Sequence, residues 1–85
     1  MELKDLRNQI DLIDDELVRL FIKRMEISAQ VADYKKAHTM PIHVPAREQE
    51  ILQVIAKKAG PDMASYACEL YYTIFELSRN YQNTR

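Results

Sequence analysis

Helix and strand breakers are scarce in this chain: one glycine and three prolines in 85 residues, under half the usual share. All four fall in two places, Pro41 with Pro45 and Gly60 with Pro61, leaving three uninterrupted stretches. The single cysteine, Cys68, cannot close an intrachain disulfide, and with no Cys or His partner at ligand spacing it builds no zinc site. No metal and no cofactor is expected. Lys plus Arg number 12 against 13 Asp plus Glu, a net charge of -1, so the broad cationic field of a nucleic-acid binder is lacking. No apolar run approaches the roughly 20 residues of a membrane span, and Met1-Glu2-Leu3-Lys4-Asp5 lacks the apolar segment of a signal peptide. A single domain over residues 1–85, cytoplasmic, with no nucleic-acid or membrane partner, is the expectation.

What is present is helical periodicity. Leu3, Leu6, Ile10, Ile13, Leu17 and Leu20, then Ile27, Val31 and Tyr34, recur at alternating steps of three and four, a heptad seam about five repeats long. The second stretch opens with Pro45, suited to the first helical position, and carries Ile51, Leu52 and Ile55 on one face. The third runs Met63, Ala67, Leu70, Ile74, Leu77, Tyr81, with Asp62 expected as its N-cap. These patterns predict an all-α fold of three helices per chain: one very long, one short, one C-terminal. A helix from about 3 to 37 spans roughly 50 Å, whereas a compact domain of this size has a radius of gyration of about 12 Å. The exposed seam predicts a homodimer in which the long helices of two subunits pair in an intertwined bundle.

Chemistry is expected where the pattern breaks. Arg24 occupies a seam position, where an unpaired cation is rare; pairing with a carboxylate such as Glu26 and binding of a ligand are both open readings. Lys35, eleven residues on, projects from nearly the same face about 16 Å away, so the two long side chains can converge on one small anion. Arg7 lies some 25 Å from Arg24 on the same helix and reaches it only from an antiparallel partner. Taken singly, Arg7, Lys35 and Arg47 read as surface charges, Glu48 as a first-turn acid suited to its helix dipole, and Ser78 and Gln82 as final-turn polar residues. His38 and His43 read as surface residues, and Cys68 as a small buried hydrophobe. Together, cations converging on an apolar cavity with one carboxylate and one amide describe a pocket for a small dianion that also bears a neutral polar group.

Five segments in register resemble the all-helical class of chorismate mutase, over essentially the whole chain. Arg7-Asn8-Gln9-Ile10-Asp11-Leu12-Ile13-Asp14 is similar to its arginine followed by I-D-x-I-D, and Leu20-Phe21-Ile22-Lys23-Arg24 to its L-L-x-x-R segment. Val31-Ala32-Asp33-Tyr34-Lys35 resembles the turn bearing its lysine, Pro45-Ala46-Arg47-Glu48 its P-x-R-E block, and Ser78-Arg79-Asn80-Tyr81-Gln82 its closing serine and glutamine. The resemblance implies a homodimer rearranging chorismate to prephenate without cofactor or metal, in the biosynthesis of phenylalanine and tyrosine. It implies that Arg24, and Arg7 from the other subunit, bind the substrate carboxylates. Lys35 and Gln82 would face the ether oxygen of the breaking bond, and Glu48 the ring hydroxyl. Arg47 and Ser78 would flank the pocket, with Val31 and Ile51 in its apolar wall. Many members carry an aspartate before the P-x-R-E proline; Val44 stands there, so Glu48 or a backbone group would carry the hydroxyl contact. An isochorismate-pyruvate lyase on the same scaffold, and a helical dimerisation or regulatory module without catalysis, are the alternatives. The second is disfavoured by an arginine where a pure seam would place an apolar residue.

Overall fold

The computed structural model describes residues 1–84 and contains three helices and no strand among them. Helix α1 spans Leu3–Ala37, α2 Pro45–Ala59 and α3 Ala64–Asn83. The three-helix expectation holds: α1 begins at the first residue of the heptad seam and runs three residues past its last, Tyr34. Its first turn is closed at the N-terminus by Asp5, whose Oδ2 accepts from the Glu2 N–H at 3.4 Å. Its last turn carries Lys35 and Lys36, cations beside the negative end of the helix dipole. The chain then turns through Thr39, which has a positive φ of 55°, and Met40 N–H donates back to Lys35 O at 2.8 Å.

Pro45 begins α2 as expected, with the Val44 carbonyl accepting from the Arg47 and Glu48 N–H groups at 3.1 and 3.3 Å. The start of α3 differs from expectation. Met63, not Asp62, is the N-cap residue, because the Gly60 carbonyl accepts from Met63 and Ala64 at 3.2 and 2.9 Å and draws Asp62 into the preceding turn. Gly60 itself, at φ 82° and ψ 167°, sits in backbone space that side-chain-bearing residues avoid, and this conformation folds α3 back along α2.

α3 is the common partner: it packs on α2 and on α1, while α1 and α2 do not pack on each other. The core is correspondingly small. Ala29, Ala32, Leu52 and Phe75 are its buried apolar residues, and on α1 only Ser28, Ala29 and Ala32 are buried. These small side chains let α3 approach the C-terminal half of α1 closely. The N-terminal half extends away uncovered, with Leu6, Ile10, Ile13 and Leu17 between 45% and 58% exposed. The molecule measures 54 × 26 × 15 Å with a radius of gyration of 15.9 Å, well above the ~12 Å of a compact domain this long. No helix among the described residues is long and apolar enough to cross a membrane.

Gly60→Ala tests the turn. Nothing lies within 4 Å of a Cβ added there, so any cost is backbone strain alone. Urea denaturation is expected to show a loss of about 1–3 kcal/mol with the m-value unchanged.

Candidate functional site

A cleft of about 300 Å³ opens where the C-terminal half of α1, the loop before α2, the first turns of α2 and the end of α3 meet. Each element supplies residues at its own helical period. α1 contributes Arg24, Ser28, Val31 and Lys35, which fall on one stripe at steps of four, three and four. α2 contributes Arg47, Glu48 and Ile51 from its opening turns, and α3 contributes Phe75, Ser78, Arg79 and Gln82, again at three-four spacing. Eight of the nine residues expected at the site therefore converge: Arg24, Val31, Lys35, Arg47, Glu48, Ile51, Ser78 and Gln82. Arg7 does not join them within the chain. It lies on the exposed N-terminal half of α1, seventeen residues and about 25 Å before Arg24.

The cations divide into two kinds. Arg79 donates to Glu48 Oε2 at 2.5 Å with both side chains mostly covered, and His43 Nε2 lies 3.6 Å from Glu48 Oε1. Arg47, largely exposed, is 3.3 Å from Glu50. Arg24 and Lys35 are different: both are half-buried, and neither pairs with a carboxylate among the described residues. The guanidinium carbon of Arg24 stands 5.8 Å from the Tyr71 ring centroid and 5.9 Å from that of Phe75. The aromatic faces attract the cation and hold its stem without neutralising it. Of the two readings open for Arg24, pairing with Glu26 is thus set aside. Lys35 Nζ donates to Ile42 O at 2.9 Å, which fixes both the ammonium and the loop over it and leaves two protons for a ligand.

Gln82, 9% exposed, is held by two buried hydroxyls. Its Nε2 donates to Ser78 Oγ at 3.1 Å and to Ser28 Oγ at 3.4 Å, while Oε1 is buried with no partner among the described residues. Val31, Ile27, Ile42, Val44, Ile51 and Phe75 supply the apolar wall. Val44 offers no acidic group there, and its carbonyl is committed to the first turn of α2, so Glu48 is the carboxylate at the cleft.

Sequence reasoning missed Arg79, Ser28 and the contact made by His43. Arg79 meets Glu48 across 31 residues, a pairing that no spacing within one helix reveals. Ser28 had a signal: it is a small polar residue one turn after Arg24 on the same stripe. Chemically, the cleft offers two cations without a carboxylate partner among the described residues, a carboxylate already oriented, and a buried amide, all set in an apolar wall.

The model of the family described as chorismate mutase type II matches residues 6–83. The chain belongs to that family. Among curated relatives, the T-protein of Haemophilus influenzae is 49% identical, over 68% of this chain and 16% of its own length. The bifunctional chorismate mutase/prephenate dehydratase of Aquifex aeolicus is 43% identical over 66% of this chain, again 16% of its length. The chorismate mutase of Methanocaldococcus jannaschii is 34% identical over 66% of this chain and 57% of its length. The chain thus spans about a sixth of the first two relatives and somewhat over half of the third. No solved structure gives a significant match.

In this chorismate mutase type II family member, the charge on Arg24 is expected to govern anion binding in the cleft. Replacing Arg24 by Met keeps the packing on Tyr71 and Phe75 but removes the charge. Calorimetric titration with a small cyclic dicarboxylate is expected to show affinity falling at least about tenfold, the worth of one charged hydrogen bond.

Proposed function

We propose that this chain rearranges chorismate to prephenate, an intramolecular Claisen rearrangement, and does so as a homodimer whose two sites are each completed by the partner. The observation that carries the reading is the pair of half-buried cations, Arg24 and Lys35, without carboxylate partners among the described residues and both lining an apolar cleft that also holds Gln82. Chorismate is a dianion with a ring hydroxyl and an enolpyruvyl ether, so it offers a carboxylate to Arg24, an ether oxygen to Lys35 and Gln82, a hydroxyl to Glu48, and a second carboxylate for which a further cation is needed.

The chain's residues then divide the work. Arg24 grips one substrate carboxylate, and Arg7 of a second copy grips the other. Holding both at fixed separation selects the compact conformer with the enolpyruvyl group folded over the ring, replacing a search by a preset geometry. As the carbon–oxygen bond breaks ahead of carbon–carbon bond formation, negative charge grows on the ether oxygen. Lys35 Nζ and the Gln82 amide donate to that oxygen more strongly in the transition state than in the ground state. Glu48, oriented by Arg79, accepts from the ring hydroxyl. Arg47 and Ser78 complete the polar rim, and Val31 and Ile51 exclude water from the ring.

The dimer is supported by what α1 leaves open. Its uncovered seam is apolar along the half that bears Arg7, and a second, antiparallel α1 is long enough to cover it. A cytoplasmic setting suits a biosynthetic step of this kind.

The deciding measurement is incubation with chorismate while following loss of its conjugated-diene absorbance. Turnover is expected; pyruvate release from isochorismate with no change in chorismate would sink the assignment in favour of a lyase. Lys35→Ala is expected to lower kcat at least about a hundredfold with a much smaller change in KM. Equal loss in both terms contradicts differential stabilisation of the transition state.

Sharing of the site is tested by mixing Arg7→Ala and Arg24→Ala subunits. Each heterodimer holds one intact and one doubly altered pocket, so an equal mixture is expected to regain about a quarter of the unaltered activity. No recovery after confirmed subunit exchange counts against a shared site.

A further inference from the structure

Three buried polar side chains meet at one edge of the cleft. Ser28 is 9% exposed, Ser78 6% and Gln82 9%. Ser28 Oγ and Ser78 Oγ are 2.5 Å apart, and the Gln82 Nε2 reaches both hydroxyls, at 3.4 and 3.1 Å respectively. The other end of the amide, Oε1, is buried without a partner among the described residues. In this arrangement the amide spends its donors on hydroxyls that are themselves donors, and leaves its acceptor with none. Buried carbonyl oxygens are rarely left that way.

A half-turn of the amide exchanges oxygen and nitrogen between two positions of like size. Both hydroxyls and the amide oxygen are then served. The Ser28 hydroxyl donates to Ser78 Oγ, the Ser78 hydroxyl donates to Gln82 Oε1, and both Nε2 protons are left for whatever occupies the cleft. The turned orientation is favoured when the occupant presents an acceptor oxygen, and the hydroxyl chain supplies the matching donor at the opposite end of the amide.

We propose that Ser28 is a positioning residue for the rearrangement: through Ser78 it holds the Gln82 amide with its N–H groups toward the ether oxygen. The inference rests on the reading of the cleft as the site of chorismate rearrangement. Ser28 does not act on the substrate itself. Its proton occupies one lone pair of Ser78 and so directs the Ser78 proton onto Gln82 Oε1. Without Ser28, the Ser78 hydroxyl is free to swing round and accept from Nε2, which returns the amide to the unproductive orientation. Hydrogen bonds in such a chain also strengthen one another, so the loss is felt at the amide and not only at Ser78.

Turnover by the unaltered chain is measured first. Its absence defeats the reading of the cleft, whereas the following outcomes bear on Ser28 alone. Ser28→Ala places a strong helix former in mid-helix, and is expected to lower kcat by roughly three- to tenfold, the range of one neutral hydrogen bond, with KM changed less than about twofold. An unaltered kcat, or a rise in KM that accounts for the whole loss, overturns the proposal.

A second readout separates positioning from packing. In Gln82→Glu, only the protonated acid can donate to the ether oxygen, so activity rises as pH falls through the pKa of that acid. A hydroxyl donor favours the ionised carboxylate and keeps that midpoint low. Adding Ser28→Ala is therefore expected to move the midpoint of the pH–kcat profile upward. A midpoint that stays in place while kcat falls at every pH assigns Ser28 a structural role only and overturns the proposal.

Discussion

The constraint on which the rest depends is that α1 is longer than its own chain can cover. At 35 residues it is about 52 Å long, nearly the full 54 Å length of the molecule, and only α3 packs on it. The helix is consequently split into two halves with different tasks. The C-terminal half carries small residues, Ser28, Ala29 and Ala32, which admit α3 at close range and bring Ser78 and Gln82 alongside Arg24 and Lys35. The N-terminal half keeps its large apolar residues for another surface. Filling positions 29 and 32 with leucines would enlarge the core but push α3 outward and open the cleft. A thin core is thus a condition of the site's geometry.

Charge within the cleft follows from which cations are neutralised. Arg79 is committed to Glu48, and Arg47 to Glu50, so both pairs contribute orientation more than field. Arg24 and Lys35 are half-buried and have no carboxylate partner among the described residues. Taking a cation partly out of water without a carboxylate is unfavourable, and the structure offsets this in two neutral ways: aromatic faces for Arg24 and a backbone carbonyl for Lys35. Neither partner competes as a counter-ion would. The dianion proposed as ligand would therefore meet no ion pair at Arg24 or Lys35 that it must break in order to bind. The net charge of -1 for the whole chain hides this local excess.

How much of this was legible in the sequence differs from element to element. α1 was legible throughout, because a three-four apolar repeat with no glycine or proline admits no other regular structure of that length. The break in that repeat at Arg24 marked the stripe of α1 that lines the cleft before any neighbour was known. Pro45 marked the start of α2 for a reason internal to proline. Asp62 failed as a cap because the competing hydrogen bonds come from the Gly60 carbonyl, and backbone acceptors leave no trace in a residue pattern. Arg79 and His43 were not legible as partners of Glu48, since each reaches it from a different element. The chain that links Ser28, Ser78 and Gln82 spans 54 residues for the same reason. Periodicity reads a helix face; it does not read which two faces meet.

The cleft is assembled from four segments, and each is tied to another by a polar contact that leaves hydrogen-bonding capacity over at Lys35 and Glu48. Lys35 fastens the loop through Ile42, Arg79 fastens α3 to α2 through Glu48, and Ser28 fastens α1 to α3 through Ser78. The cross-links are distributed so that each pair of neighbouring elements has one. This matters for the proposed rearrangement, which needs placement and charge stabilisation. Well-oriented reactants can account for about 7–11 kcal/mol of a barrier, but only when the groups that orient them do not have to reorganise as the reaction proceeds. Long side chains such as Arg24 and Lys35 each lose up to about 2 kcal/mol of rotamer freedom when fixed, and much of that loss is already incurred in the folded, unliganded chain. In the proposed rearrangement, the binding energy of a flexible dianion would then go into holding its compact conformer.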